Sequence, residues 1–183
     1  MLQVESTPKT GDEKETLIGF LNNQRAVLAW KLHGLPKEEA RRPMVPSGTS
    51  LLGVTRHLAC VELYWFGDVI AHGDYEVPGE MAGWWREISD EWEKGNDPDI
   101  DFRIGGDDTV DLILEYYETA VGVANDIVAR HELDHTGATF GGGHPEVSLR
   151  WVIVHMIAET ARHAGHADIL REQIDGVTGY MPD

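Results

Sequence analysis

Four segments of the sequence repeat apolar side chains at intervals of three and four residues, and segments rich in glycine and proline separate them. This spacing places the apolar side chains on one side of a helix, whereas a half-buried strand alternates apolar and polar residues. The absence of such alternating runs argues against a sheet. We therefore predict an all-α fold whose long helices cover about residues 12–33, 51–72, 110–131 and 146–174.

Proline and glycine indicate where the chain leaves the helical state. Residues 34–48 hold three prolines and two glycines, so no helix is predicted there. In residues 73–108, similar interruptions surround a short aromatic piece, which predicts a long crossover with one short helix. Residues 136–146 are rich in glycine and are predicted to form a flexible loop. The resulting architecture is a four-helix bundle with one long crossover between helices two and three.

Individual residues set the predicted helix ends. Thr49 or Ser50 offers a side-chain oxygen to cap the second helix, and Thr109 does so for the third. Pro145 is tolerated in the first turn of the fourth helix, which stops at Gly176.

Length, charge and cysteine content restrict the classes of function. A chain of 183 residues can bury a core as one domain, placed at residues 12–183 after a disordered tail at residues 1–11. The formal net charge of −17 would repel the negatively charged phosphate backbone of a nucleic acid, so no nucleic-acid partner is expected. Without a long apolar stretch or a secretory signal, we expect a cytoplasmic protein with no membrane partner. Cys60 is the only cysteine, so any metal site must use histidine and carboxylate.

Polar residues interrupt the apolar face of the fourth predicted helix. At about 100° per residue, the residues that share one narrow arc with the apolar side chains are His155, Glu159, His163 and His166. An ionised Glu159 on this face costs on the order of several kcal/mol unless it is paired. The carboxyl therefore needs a cation, a proton, or a bundle that opens to water at this point.

His57 on the second helix shares an inward arc with Val54 and Trp65, and a bundle can bring it opposite the fourth helix. Glu159 and His163 are four residues apart and stack on one helix face, so both can reach one ion. Two histidines and one carboxylate leave a position open for water or substrate, as in catalytic zinc sites, and the set also suits ferrous iron or nickel. The alternative is a solvated pair, or core histidines with backbone partners.

Two stretches resemble the DinB/YfiT-like superfamily: residues 51–58 (LLGVTRHL), followed by Val61 and Glu62, and residues 159–168 (ETARHAGHAD). The likeness spans nearly the whole chain after about residue 12 and is nearest to an actinobacterial branch. Members of the superfamily are four-helix bundles that bind a divalent metal. Their ligands are a histidine on the second helix and two residues spaced four apart on the last helix. That pair is commonly two histidines, and in mycothiol-dependent maleylpyruvate isomerases it is a glutamate and a histidine.

The resemblance implies that His57, Glu159 and His163 are metal ligands, with Glu159 in place of the commoner histidine. It also implies a thiol S-transferase or isomerase that uses mycothiol, or a similar low-molecular-weight thiol, on a small electrophile. Zinc is the expected metal, with nickel or iron as alternatives, and a homodimer is expected. A thiol on zinc is deprotonated near neutral pH and can attack the electrophile.

Other polar residues of the last helix have less specific assignments. His155 and His166 are candidates for proton transfer, for a fourth metal ligand, or for orienting hydrogen bonds. Arg162 could pair with the neighbouring carboxylate or bind an anionic substrate or cosubstrate. Asp168 and Arg171 are predicted to face away, as surface or dimer contacts.

Some predictions concern the core rather than the site. Cys60 is predicted to be a small buried hydrophobe. Trp84, Trp85 and Trp92 are predicted to cover the core beneath the crossover, with a pocket wall as the alternative. The predicted core face of the first helix consists of Leu17, Phe20, Leu21, Gln24, Leu28 and Lys31.

Two other functions fit the same residues. An open zinc position lowers the pKa of bound water to about 7, so a metal-dependent hydrolase is one alternative. Independence from a thiol would distinguish it. The other alternative is a non-catalytic metal-binding or stress-response protein that dimerises through exposed apolar helix faces. A metal site closed by His155 or His166 would distinguish that protein.

Overall fold

The computed structural model describes residues 2, 7–95, 97–138 and 146–179. Much of the predicted tail, the glycine run at 141–143 and Pro145 lie outside the described residues. No helix within the described ranges is both long and apolar enough to cross a membrane.

Helices dominate the described chain, so the prediction of an all-α fold is confirmed. The α-helices are α1 (Glu13–Leu32), α2 (Lys37–Arg41), α3 (Leu51–Glu62), α4 (Met81–Lys94), α5 (Val110–Arg130) and α6 (Leu149–Asp175). π-Helical turns continue α3 over Leu63–Ile70, and a 3₁₀ turn occupies Ile100–Phe102. Two short strands, β1 (Thr136–Gly137) and β2 (Val147–Ser148), pair antiparallel.

The long helices pack around the hydrophobic core in two pairs. Helix α1 lies along α6, α3 lies along α5, and contacts between α3 and α6 join the pairs. Glu13 pairs with Arg150 and Lys31 pairs with Asp168, so α1 and α6 run in the same direction. The long crossover after α3 carries α4 and the 3₁₀ turn, and it returns that turn to the surface of α3. This return places crossover residues beside the inward face of α3.

Side-chain caps fix the helix ends that matter for the site. Ser50 and Thr109 each accept a hydrogen bond of 3.1 Å from the backbone N–H three residues later. Gly176 ends α6 with a φ of 78°, in the left-handed region that favours glycine. The predicted start of the last helix near residue 146 is wrong by three residues. Ser148 belongs to β2 and caps α6, so the helix begins after it.

Two predictions about the first quarter of the chain are wrong. Residues 34–48 contain the short helix α2, which Pro36 precedes, and proline is tolerated where a helix begins. On α1, Phe20 is 48% exposed, although Leu28 and Lys31 are buried as predicted. Nearly every residue in the second half of α1 is enclosed by neighbouring helices, an enclosure that periodicity does not anticipate.

The prediction that Asp168 and Arg171 are surface contacts is confirmed for Asp168, whose side chain is 48% exposed, and wrong for Arg171, whose side chain is 11% exposed. Lys31 Nζ lies 2.6 Å from an oxygen of Asp168. Arg171 donates hydrogen bonds to the backbone oxygens of Lys31 and His33, at 2.7 and 3.0 Å. Both side chains therefore join α6 to α1 within one chain.

Candidate metal centre

Three predicted ligands meet where α3 faces α6. Oε1 of Glu159 lies 3.3 Å from Nε2 of His57 and 3.1 Å from Nε2 of His163. One ligand atom from each residue can be chosen so that all three lie within 4.8 Å of one another. Among the residues that the structure describes, no other group of three or more histidine, cysteine or acidic side chains converges in this way. We call these three residues the His57 cluster.

The helices explain the convergence. Glu159 and His163 are one turn apart on α6, and their side chains bond to each other across that turn. His57 comes from the second turn of α3, whose start Ser50 fixes as N-cap. His57 and His163 are each 9% exposed, and the Glu159 side chain is 13% exposed. The cluster is thus nearly buried at the contact between the two helices.

Glu159 and His163 are held in the protonation states that bind metal. Burial would raise the pKa of Glu159, but hydrogen bonds from Arg162 and His57 and the charge of His163 outweigh it and lower the pKa to about 2. Burial, aided by the charge of His57, lowers the pKa of His163 to about 4. Near neutral pH Glu159 is therefore an anion and His163 is neutral. Metals bind the deprotonated forms of both groups.

The donor set fits a divalent metal. Two imidazoles and one carboxylate are ligands that zinc, ferrous iron and nickel accept. Nδ1 of His163 is buried without a hydrogen-bond partner in the described part of the chain. Buried polar atoms in proteins almost always have a partner, so an unsatisfied one calls for an explanation. An ion bound to Nδ1 would satisfy that atom, and an ion bound to either ring nitrogen would compensate the buried carboxylate.

Arg162 takes the first of its two predicted roles. Its guanidinium forms a salt bridge with Oε2 of Glu159, the oxygen that faces away from the two histidines. The Arg162 side chain is 64% exposed, whereas the carboxylate is nearly buried. The arginine therefore approaches the cluster from solvent.

His155 and His166 lie outside the three converging residues. The half-buried His155 ring stacks on Trp151 at 5.0 Å between centroids and meets Trp65 edge-on at 4.7 Å. Burial lowers the pKa of His155. His166 is exposed, with its ring centroid 5.4 Å from that of His163. Their roles in proton transfer stay predictions.

Two residues that contact the cluster were not predicted from the sequence, and both lie in the 3₁₀ turn of the crossover. Asp101 forms a hydrogen bond with Nδ1 of His57 through Oδ2. The Phe102 ring stacks on the His57 ring, with centroids 4.1 Å apart and planes 15° apart. Asp101 follows Asp97 and Asp99 in a segment that contains proline, which is the pattern of a solvated loop. That pattern gives no signal that one of the three carboxylates is buried.

A cavity of about 410 Å³ opens beside the cluster. Its walls are His57, Val61, Tyr64, Trp65, Trp92, Glu93, Pro98 and Asp101. Trp92 is thus a pocket wall, whereas Trp85 is buried in the core and Trp84 packs against Tyr116 and Arg56. The predicted role in covering the core therefore applies to Trp84 and Trp85, and the alternative of a pocket wall applies to Trp92.

Cys60 is fully buried in the core, as predicted. Burial raises the pKa of its thiol well above the ordinary value. The thiol is therefore protonated at neutral pH and behaves as a small apolar group.

A family model described as mycothiol-S-transferase matches residues 16–176, which is well over half of the chain and includes the whole His57 cluster. No curated protein matches the chain.

Proposed function

Because the chain belongs to the mycothiol S-transferase family, we propose that it transfers mycothiol, or a similar low-molecular-weight thiol, to a small electrophile. His57, Glu159 and His163 would hold a divalent metal. The observation that carries this proposal is the convergence of two histidines and an ionised glutamate beside a cavity. Three protein ligands leave a coordination position for a substrate atom.

A bound divalent ion would supply Lewis acidity that lowers the pKa of a thiol, so that the thiolate exists near neutral pH. The cavity would receive the electrophile. Tyr64, Trp65 and Trp92 give it broad apolar walls next to His57, which suits a small, partly apolar molecule. In the transfer, the thiol proton passes to a base and the sulfur forms a bond to an electrophilic carbon, which either releases a leaving group with its bonding electrons or shifts the electrons of a double bond to the neighbouring atom.

His155 is the base that we favour. Its ring contacts Trp65, a wall of the cavity, and burial lowers its pKa, so it is neutral and able to accept a proton near neutral pH. His166 is exposed and touches the cluster only through the ring of His163. It is the second candidate for the same role.

Zinc is the metal that we propose, because histidine and carboxylate ligands with one open position are typical of catalytic zinc. Nickel and iron fit the same donors. A homodimer and a cytoplasmic location remain predictions from the sequence.

Elemental analysis combined with a conjugation assay tests the proposal. Purified protein should contain one divalent ion per chain and should conjugate mycothiol to at least one member of a panel of small electrophiles. His163→Ala should lose both properties. His166→Ala, which alters a neighbouring exposed histidine, should keep the metal.

Three results would contradict the proposal in different ways. A metal-loaded protein that conjugates neither mycothiol nor bacillithiol to any electrophile would refute the transferase. Turnover that needs the metal but no thiol would indicate a hydrolase. Loss of metal in His166→Ala would mean that the site is closed by a fourth protein ligand, which favours a non-catalytic metal-binding protein.

A further inference from the structure

The 3₁₀ turn at Ile100–Phe102 supplies His57 with two contacts, one at the ring nitrogen away from Glu159 and one on the face of the ring. Asp101 is 3% exposed and bonds to Nδ1 of His57, and the Phe102 ring lies flat against the imidazole. Together these contacts fix both the direction in which Nε2 points and the plane of the ring. That nitrogen is the one that faces Glu159.

The partner of Nδ1 determines what Nε2 can do. When a metal takes the lone pair of Nε2, the remaining ring proton lies on Nδ1 and is donated to the carboxylate, whose negative charge makes Nε2 a stronger ligand. A metal-ligating histidine commonly has such a partner. The carboxylate of Asp101 is therefore the group expected behind a metal-binding His57.

Without such a role, the buried carboxylate of Asp101 would lower the stability of the fold. Its second oxygen, Oδ1, is buried and has no hydrogen-bond partner among the described residues. For a buried carboxylate with one unsatisfied oxygen, the free energy lost on leaving water exceeds the free energy gained from its contacts, unless a nearby positive charge compensates it. A cation bound on the other side of His57 would provide that charge.

Helix α3 itself holds the turn in place. Arg56 donates a hydrogen bond of 2.6 Å to the backbone oxygen of Ile100, and its Nε lies 3.5 Å from a carboxylate oxygen of Asp108. A Cβ atom at Gly53 would come within 2.8 Å of the backbone oxygen of Phe102, so glycine there permits the close approach. The segment that presents His57 thus also fixes its partner.

From these contacts we infer that Asp101 is a positioning residue, which holds His57 through Nδ1 and strengthens its bond to a divalent metal. The inference rests on the metal site of the proposed function and is independent of thiol transfer. It adds a fourth residue, from the crossover, to a site formed by α3 and α6.

Zinc affinity measured by competition with a chromophoric chelator tests the inference on the full chain. Asp101→Asn keeps the size of the side chain and removes its charge, and it should weaken zinc binding about 10- to 100-fold. Asp99→Asn is the matched control, because Asp99 is an exposed carboxylate two residues earlier whose side chain does not cap the turn. Its zinc affinity should equal that of the wild type.

A second variant separates an electrostatic role from a steric one. Asp101→Glu retains the carboxylate, so it should bind zinc more tightly than Asp101→Asn. A purely steric role predicts the reverse, because asparagine is the closer match in shape. In zinc-loaded protein labelled with ¹⁵N-histidine, the Nδ1 proton of His57 should resonate far downfield and should move upfield in Asp101→Asn.

The outcomes distinguish this inference from the proposed function. If the wild type binds zinc and Asp101→Asn binds it within twofold as tightly, the role of Asp101 is refuted and the metal site stands. The role is also refuted if Asp101→Asn binds more tightly than Asp101→Glu. If the wild type binds no divalent ion, the metal site and this inference both fail.

Discussion

Helix α3 carries two buried polar clusters that differ in how fully their atoms are paired. The first is the Arg25 cluster, formed by Arg25, Glu62, Asn22 and Asn125, and the second is the His57 cluster. Glu62 lies five residues after His57 on the same helix. Arg25 and Glu62 are 1% and 0% exposed, and their side chains form a bidentate pair with distances of 2.7 and 2.5 Å. The remaining guanidinium nitrogen donates to both asparagines, at 2.8 and 2.9 Å.

The His57 cluster is incomplete by the same standard. Nδ1 of His163 and Oδ1 of Asp101 are buried without partners in the residues described here. Buried polar groups that satisfy one another stabilise a unique packing, whereas each unsatisfied group calls for an explanation, of which a bound ion is one. The comparison separates a structural cluster from a candidate site, although both combine a carboxylate with nitrogen donors in one helix bundle.

The largest expected effect is on the Arg25 cluster. Arg25→Met leaves Glu62 buried without its cation and should lower the free energy of unfolding by about 3–5 kcal/mol in chemical denaturation. Zinc affinity should not change. The double variant Arg25→Met with Glu62→Leu should recover most of the loss, because apolar groups can replace a complete buried ion pair. A double variant no more stable than the single one would contradict this account of the cluster.

The opposite pattern is expected for the His57 cluster. Glu159→Gln removes the anionic ligand and should weaken zinc binding more than about 100-fold, beyond the loss typical of an outer partner. The unfolding free energy of the metal-free protein should fall by less than in Arg25→Met, although the lowered pKa of Glu159 means that its charge contributes stability at neutral pH. Glu172→Gln, an exposed change on the same helix, is the control. A loss of stability as large as that of Arg25→Met would mean that the two clusters do not differ.

Asp68 is a carboxylate with one uncharged hydrogen-bond donor among the described residues, so it is paired less fully than Glu62. Tyr75 donates a hydrogen bond of 2.8 Å to it, but burial outweighs that bond and raises the pKa of Asp68 to about 6. Since this value exceeds the unfolded pKa of 3.8, the folded state binds more protons between these values, and stability falls as the pH rises through that window. Asp68 therefore destabilises the fold at neutral pH.

Asp68→Asn should raise the free energy of unfolding by about 1 kcal/mol near neutral pH, after allowance for partial exposure of the side chain. The wild type should become more stable as the pH falls from about 7 to about 5, because Asp68 takes up a proton. The variant should lack this contribution. Denaturation across this range measures both effects. Asp74→Asn, at an exposed aspartate nearby, should keep the wild-type dependence. An unchanged slope in Asp68→Asn would contradict the prediction.

The smallest effect is expected for Arg162, which also binds a glutamate but from solvent. Its side chain is 64% exposed, so Arg162→Ala should lower the unfolding free energy by less than about 1 kcal/mol. Chemical denaturation of Arg162→Ala and Arg25→Met tests whether the loss of unfolding free energy depends on the burial of the arginine–glutamate pair or only on its presence. Comparable losses of unfolding free energy in the two variants would show that burial does not determine the loss.

Much of the candidate site could be predicted because its spacing is local. Glu159 and His163 share a face whatever surrounds their helix, and His57 shares its face with apolar residues. The Arg25 cluster could not be predicted in this way. Arg25 lies next to apolar residues on α1, and only the approach of α3 and α5 shows that its charge is paired rather than solvated.

The sequence by itself determined the helical class, the caps at Ser50 and Thr109, and the three residues of the His57 cluster. The helical class and the caps depend on contacts within a few residues along the chain, and helical periodicity places His57 and the Glu159–His163 pair on inward faces, whereas the contact between them joins residues 102 positions apart. Only the tertiary structure decided that Asp101 and Phe102 stand behind His57, because they lie 44 and 45 positions away in an irregular crossover. No periodicity encodes that distance, and the turn reaches His57 only because Gly53 and Arg56 fix it against α3.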